Sequence, residues 1–156
     1  MFKTTKVTKR TVENLLYELS KEYKVRIFYS SSINSYWKSV DGHTSFKSGN
    51  ITLSRNQSAA NMIATFFHEL GHVHCCMEGK WKSFHTTKLP SEMSKKEKSA
   101  YMRTALKAER WVDKWAETEM KKHFPKIKYP GSGYSGPINE EVVKSFKEEV
   151  RKYLYE

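Results

Sequence analysis

Apolar residues recur at helical intervals in several stretches of the chain. Val12, Leu15, Leu16 and Leu19 share one face of a helix that Thr8 or Thr11 can cap and that ends near residue 23. A denser set, Ala59, Ala60, Met62, Ile63, Phe66, Phe67 and Leu70, covers most of the circumference of a second helix. That helix should run from about residue 58 to 73 or a little beyond, largely buried, with Gly79 after its end. A third helix starts at Ser94, where Ser94-Lys95-Lys96-Glu97 has the capping-box pattern, and can reach Lys122. The last spans about 139–155, with Val142, Val143, Phe146, Val150 and Leu154 as its buried face.

Between the first two helices the period shortens to two. Val25, Ile27 and Tyr29 line one face of a strand at 25–29. Asp41-Gly42 is a two-residue hairpin signal, with a strand before it near 36–40 and another after it. Ser48-Gly49-Asn50 is a second turn, leading into Ile51-Thr52-Leu53-Ser54. The pattern predicts an α+β domain with a small, mostly antiparallel sheet against the second helix. The edge of the strand at 51–54 could align an extended peptide by main-chain pairing, or be no more than a sheet edge. Pro125, Pro130, Gly131, Gly133, Gly136 and Pro137 make an irregular stretch before the last helix.

Composition adds bounds. The 156 residues suit one domain, 1–156, able to bury a core without covalent staples. At 38% hydrophobic and 13% aromatic residues, the chain is not of disordered composition. Its two cysteines, Cys75 and Cys76, are adjacent and form no disulfide framework, which favours a reducing compartment. No apolar run approaches a membrane span, and no apolar stretch follows the basic N-terminus as in a secretion signal. The expected location is the cytoplasm, with no membrane partner.

The net charge of +11 suits nucleic acid, an anionic membrane or an acidic protein, and equally a surface that is merely soluble. The lysines are spread along the chain instead of forming one block, so charge alone names no partner.

The second helix carries the chemistry. Its apolar surface is broken by His68, Glu69 and His72, groups that are costly to bury without a task. Residues four apart on a helix differ by about 40° in azimuth and lie one turn apart, so His68 and His72 can aim at one ion. Glu69 lies on another azimuth, where it can hold a water but not the ion. Zinc brings such a water's pKa to about 7, and Glu69 would act as the general base. Gly71 leaves space beside the metal.

Three residues could complete the ligand set. Glu78 stands where the extended pattern His-Glu-x-x-His-x-x-Gly-x-x-His has its last His, but Cys75 occupies the Gly position. His85 lies in a basic loop at 77–90, where its alternative is an exposed loop histidine. Glu109 interrupts an apolar stripe of Met102, Ala105, Leu106, Val112 and Ala116, and a carboxylate facing the core needs a partner. Of the three, Glu109 fits best. Asp113, one turn on, would accept a hydrogen bond from a ligand imidazole.

The residues Ser48-Gly49-Asn50-Ile51-Thr52-Leu53, then His68-Glu69-Leu70-Gly71-His72, resemble the ImmA/IrrE-type metallopeptidases. In that family a short strand precedes the motif helix, and a later helix carries a Glu-x-x-Ala-Asn/Asp-x-Phe-Ala pattern. Glu109-Arg110-Trp111-Val112-Asp113-Lys114-Trp115-Ala116 is similar, with Val112 for Ala and Trp115 for Phe. The resemblance spans residues 51–116. It implies a zincin-like fold, zinc held by His68, His72 and Glu109, Glu69 as base, and intracellular protein substrates such as transcriptional repressors. The helix continues into Glu119 and Lys121, where the family has a Leu/Met-Pro ending.

Two other functions are compatible with the sequence. One is a DNA-associated protease similar to the SprT type, with His85 as third ligand. There Lys80, Trp81, Lys82, Phe84 and Lys88 would contact phosphates and stack on bases, unless that loop is solvated with its aromatics tucked inward. The other is a zinc-stabilised binding protein with Glu69 idle, which requires a closed site of four protein ligands. Tyr129, Tyr134, His123 and His85 are the candidates for stabilising an oxyanion.

Overall fold

The computed structural model describes residues 8–31, 41–130 and 140–155. Helix α1 (Lys9–Glu22) is capped by Thr8, whose hydroxyl accepts from the Thr11 amide at 3.2 Å. It buries Val12, Leu15, Leu16 and Leu19, the stripe its sequence predicts. Strand β1 (Ile27–Ser30) follows, with Val25, Ile27 and Tyr29 turned towards the core and Phe28 exposed.

Strands β2 (Gly42–Thr44) and β3 (Ile51–Ser54) complete a three-stranded sheet in the order β1-β3-β2. β1 pairs with β3 in parallel, Ile27 opposite Ile51 and Tyr29 opposite Leu53. β2 pairs with β3 antiparallel, Thr44 opposite Ile51 and Gly42 opposite Leu53. The sheet is therefore mixed and not mostly antiparallel. Alternation fixes which face a side chain takes but is blind to strand direction, so both pairings satisfy the same pattern.

β3 is the central strand, paired on both sides, and offers no free edge to a peptide. Gly49, at φ 73°, makes the predicted turn into β3. Gly42 opens β2 instead of sitting in a tight turn, and the strand expected at 36–40 lies outside the described residues.

Helix α2 (Ala59–Met77) starts at Ser58, which caps the Asn61 amide, and runs one turn past its apolar pattern. Glu78 caps its end, and Gly79 (φ 72°) takes the left-handed conformation that terminates it. After a single turn of 3-10 helix (Pro90–Glu92), α3 (Lys95–His123) begins at the Ser94 capping box. Helix α4 (Glu140–Tyr155) buries Phe146, Val150 and Leu154, leaving Val142 and Val143 half-buried.

Two apolar clusters form. The first joins α1, β3, α2 and the C-terminal part of α3 through residues such as Leu16, Leu53, Phe66, Phe67 and Met120. The second joins Phe84, Met93, the N-terminal half of α3 and α4. α3 is common to both, and Glu109 lies on the stretch between them. Among the described residues, no helix is long and apolar enough to cross a membrane.

Candidate metal centre

α2 and α3 meet along a close contact, and Gly71 sits in it. A Cβ built on Gly71 would lie 2.9 Å from Val112 Cγ1 and 3.3 Å from the Val112 carbonyl oxygen. Its missing side chain thus makes room for α3 and not for the ion. This approach brings Glu109 over His68 and His72.

Glu109 Oε2 lies 3.1 Å from His68 Nε2, and Oε1 lies 3.2 Å from His72 Nε2. The two Nε2 atoms are 3.2 Å apart. One ligand atom from each residue falls within 4.8 Å of the others, a group that could hold a metal ion.

The far edge of each ring is anchored. His68 Nδ1 lies 2.8 Å from Asp113 Oδ1, and Asp113 is fully buried. A carboxylate only accepts, so Nδ1 carries the proton. Tyr129 donates to the same oxygen at 2.6 Å. His72 Nδ1 lies 2.9 Å from His85 Nε2, and His85 Nδ1 faces the Trp81 carbonyl at 3.3 Å. A carbonyl also only accepts, so the consistent arrangement runs His72 N–H to His85 N, and His85 N–H to Trp81 O. Burial pushes the His85 imidazole down to about 4, with His72 adding to the effect, and leaves it neutral at pH 7.

With both Nδ1 protons committed outwards, two Nε2 lone pairs and a carboxylate face one another. A proton on His68 Nε2, donated to Glu109, or a cation in its place satisfies this arrangement. Burial alone would lower the His68 pKa, but Asp113 and Glu109 outweigh it and hold the ring well above its ordinary value. Burial would raise Glu109, yet His72 and His68 hold it well below the usual carboxylate range. A four-coordinate cation with bonds near 2.0–2.1 Å needs ligand atoms about 3.3 Å apart. The 3.2 Å between the two Nε2 atoms meets that requirement, while Glu109 reaches each imidazole with a different oxygen.

Glu69 is buried beside this group, off the ligand face. Thr44 donates to its Oε2 at 2.5 Å and fixes one oxygen. Gly42 leaves space for it: a Cβ there would be 3.0 Å from Glu69 Cγ and 2.5 Å from Thr65 Cγ2. Thr44 and Gly42 carried no signal in the sequence beyond strand and turn, because their role exists only once β2 packs on α2.

The other sequence candidates are placed elsewhere. Glu78 is exposed and pairs with His74 at 3.2 Å and Lys80 at 3.6 Å. His85 is neither an exposed loop residue nor a member of the ligand group. It is buried against Phe46 and Phe84, with ring centroids 4.9 Å and 5.2 Å away. Tyr129 is committed to Asp113, and His123 bonds Tyr23 at 2.8 Å, so neither faces the ligand edge. Tyr134 lies outside the described residues. Phe84 is buried in the second cluster and Trp81 is half-buried, so the 77–90 loop has its aromatics turned inward. Burial raises the Cys75 thiol to about 11, so it offers no thiolate. Comparison of the chain with family models, curated proteins and solved structures found no match.

Proposed function

We propose that the chain is a zinc-dependent peptidase acting on a protein or peptide, with His68, His72 and Glu109 as ligands and Glu69 as general base. The observation that carries this reading is the donor count. Among the described residues three donors converge where a closed structural site needs four, and a buried carboxylate stands beside them. Two imidazoles and a carboxylate are a donor set suited to zinc.

Bound zinc supplies Lewis acidity that brings a water's pKa to about 7. Glu69 takes the proton of the attacking water at the oxygen Thr44 leaves free, and returns it to the leaving amine. Thr44 and the space at Gly42 hold that carboxylate in one orientation. Asp113 and His85 keep the two ligand rings in the tautomer that points Nε2 inward. The likeness of 48–53, 68–72 and 109–116 to the ImmA/IrrE type supports an intracellular regulatory protein as substrate.

The test is zinc content beside hydrolysis of an unstructured protein such as casein. Glu109→Ala should lose stoichiometric zinc. Glu69→Gln should keep zinc and lose at least about 100-fold in rate, the scale of general-base catalysis. Zinc retained by Glu109→Ala, or hydrolysis surviving Glu69→Gln, defeats the reading.

A further inference from the structure

The positive charge, dispersed in the sequence, is gathered by the fold along one side of α3. At 100° per residue, Lys96, Arg103, Lys107, Arg110, Lys114 and Lys121 fall within a wedge of about 60° and span roughly 37 Å of helix. All are exposed except the half-buried Arg110. The acid nearest the wedge, Glu117, is already paired with Lys121 at 3.0 Å. Among the described residues, Lys96, Arg103, Lys107, Arg110 and Lys114 have no carboxylate within ion-pair reach. Arg103 also shares a surface groove with Arg151 of α4.

A surface that serves only solubility mixes its signs. Here Arg103 and Lys107, Lys107 and Arg110, and Arg110 and Lys114 are like-charge neighbours at three- and four-residue spacing, which disfavours the helix. A polyanion laid along the row removes that repulsion. The exposed large apolar residues, Tyr17, Phe28, Met77, Leu89 and Tyr155, all lie off α3. Among the described residues, Tyr155 of α4, in the groove with Arg103 and Arg151, is the one exposed ring beside the row, so the row lacks the succession of platforms that stacks single-stranded bases and the apolar cluster that enters a lipid surface. Its length along a single helix suits a rigid anion; a DNA duplex presents one charge per about 1.7 Å of axis.

We propose that this face of α3 binds the phosphate backbone of double-stranded nucleic acid, with little sequence preference. Phosphate contacts position a protein without reading bases. The row points well away from Glu109 on the helix wheel, so the proposal is independent of the metal reading.

The experiment is fluorescence anisotropy with a labelled 20-bp DNA duplex across a salt series. Engaging about five phosphates gives a slope near −4 to −5 in log K against log salt. Combining Arg103→Gln, Lys107→Gln, Arg110→Gln and Lys114→Gln should flatten that slope by about four and weaken binding at least about tenfold at low salt. Lys21→Gln, Lys24→Gln, Arg26→Gln and Lys47→Gln together, which carry the same net charge, should change the slope by less than about one. Arg103→Lys with Arg110→Lys should bind like the wild type. Absence of duplex binding by the wild type overturns the proposal. So does equal loss in both quadruple variants, or stronger binding to phosphatidylserine vesicles than to duplex.

Discussion

The two imidazoles proposed as ligands are held by unlike partners. His68 leans on Asp113, an anion reinforced by Tyr129, whereas His72 leans on neutral His85. His85→Phe keeps an aromatic ring against Phe46 and Phe84 but removes the acceptor, leaving a buried N–H unpaired. Loss of such an outer partner costs about 10–100-fold in metal affinity. Zinc competition against a chelator should show that loss for His85→Phe and a smaller one for His85→Gln, whose amide oxygen can accept. Unchanged affinity in His85→Phe would remove His85 from the centre. This role was not legible in the sequence. His85 enters through a turn at Trp81, a residue with φ 52° that no pattern marks, since a left-handed conformation at a non-glycine is set by its surroundings. Glu109 was legible because a carboxylate breaking an apolar stripe is a local signal.

At the scale of elements, the centre depends on how closely α3 lies on α2. Gly71→Ala tests this, since two effects oppose. Alanine favours a helix by about 1 kcal/mol over glycine, while crowding a packed contact costs about 1–3 kcal/mol. Val112 presents both side chain and backbone to the new methyl group, so repacking one rotamer does not relieve it. Urea denaturation should show a net loss of up to about 2 kcal/mol. Zinc affinity should fall with it as Glu109 is pushed outwards. A variant more stable than the wild type, with full zinc affinity, would mean the contact is not needed. The helices themselves were readable, because Thr8, Ser58 and Ser94 are capping residues ahead of periodic apolar runs. The direction of β1 against β3 was not, because it depends on the path of the chain between them.

For the whole molecule, the question is whether the proposed metal would hold the fold or only use it. The two apolar clusters flank the centre, and neither draws its buried residues from the ligands. α3 joins them through apolar contacts at both ends, so the helices have reason to stay packed when the ion is removed. A ligand present at 1,000 times its Kd stabilises by about 4 kcal/mol, and 1 kcal/mol shifts Tm by about 2–4 °C in a domain of this size. Chelation should therefore lower Tm by about 8–16 °C while leaving the far-UV circular dichroism at 25 °C unchanged. Small zinc-held domains behave differently, unfolding outright when the metal is withdrawn. Loss of the helical signal on adding chelator would identify the ion as a structural support and favour a zinc-stabilised binding protein. Retention of that signal, with the expected drop in Tm, would place the ion in a scaffold that stands without it, as an open three-donor site requires.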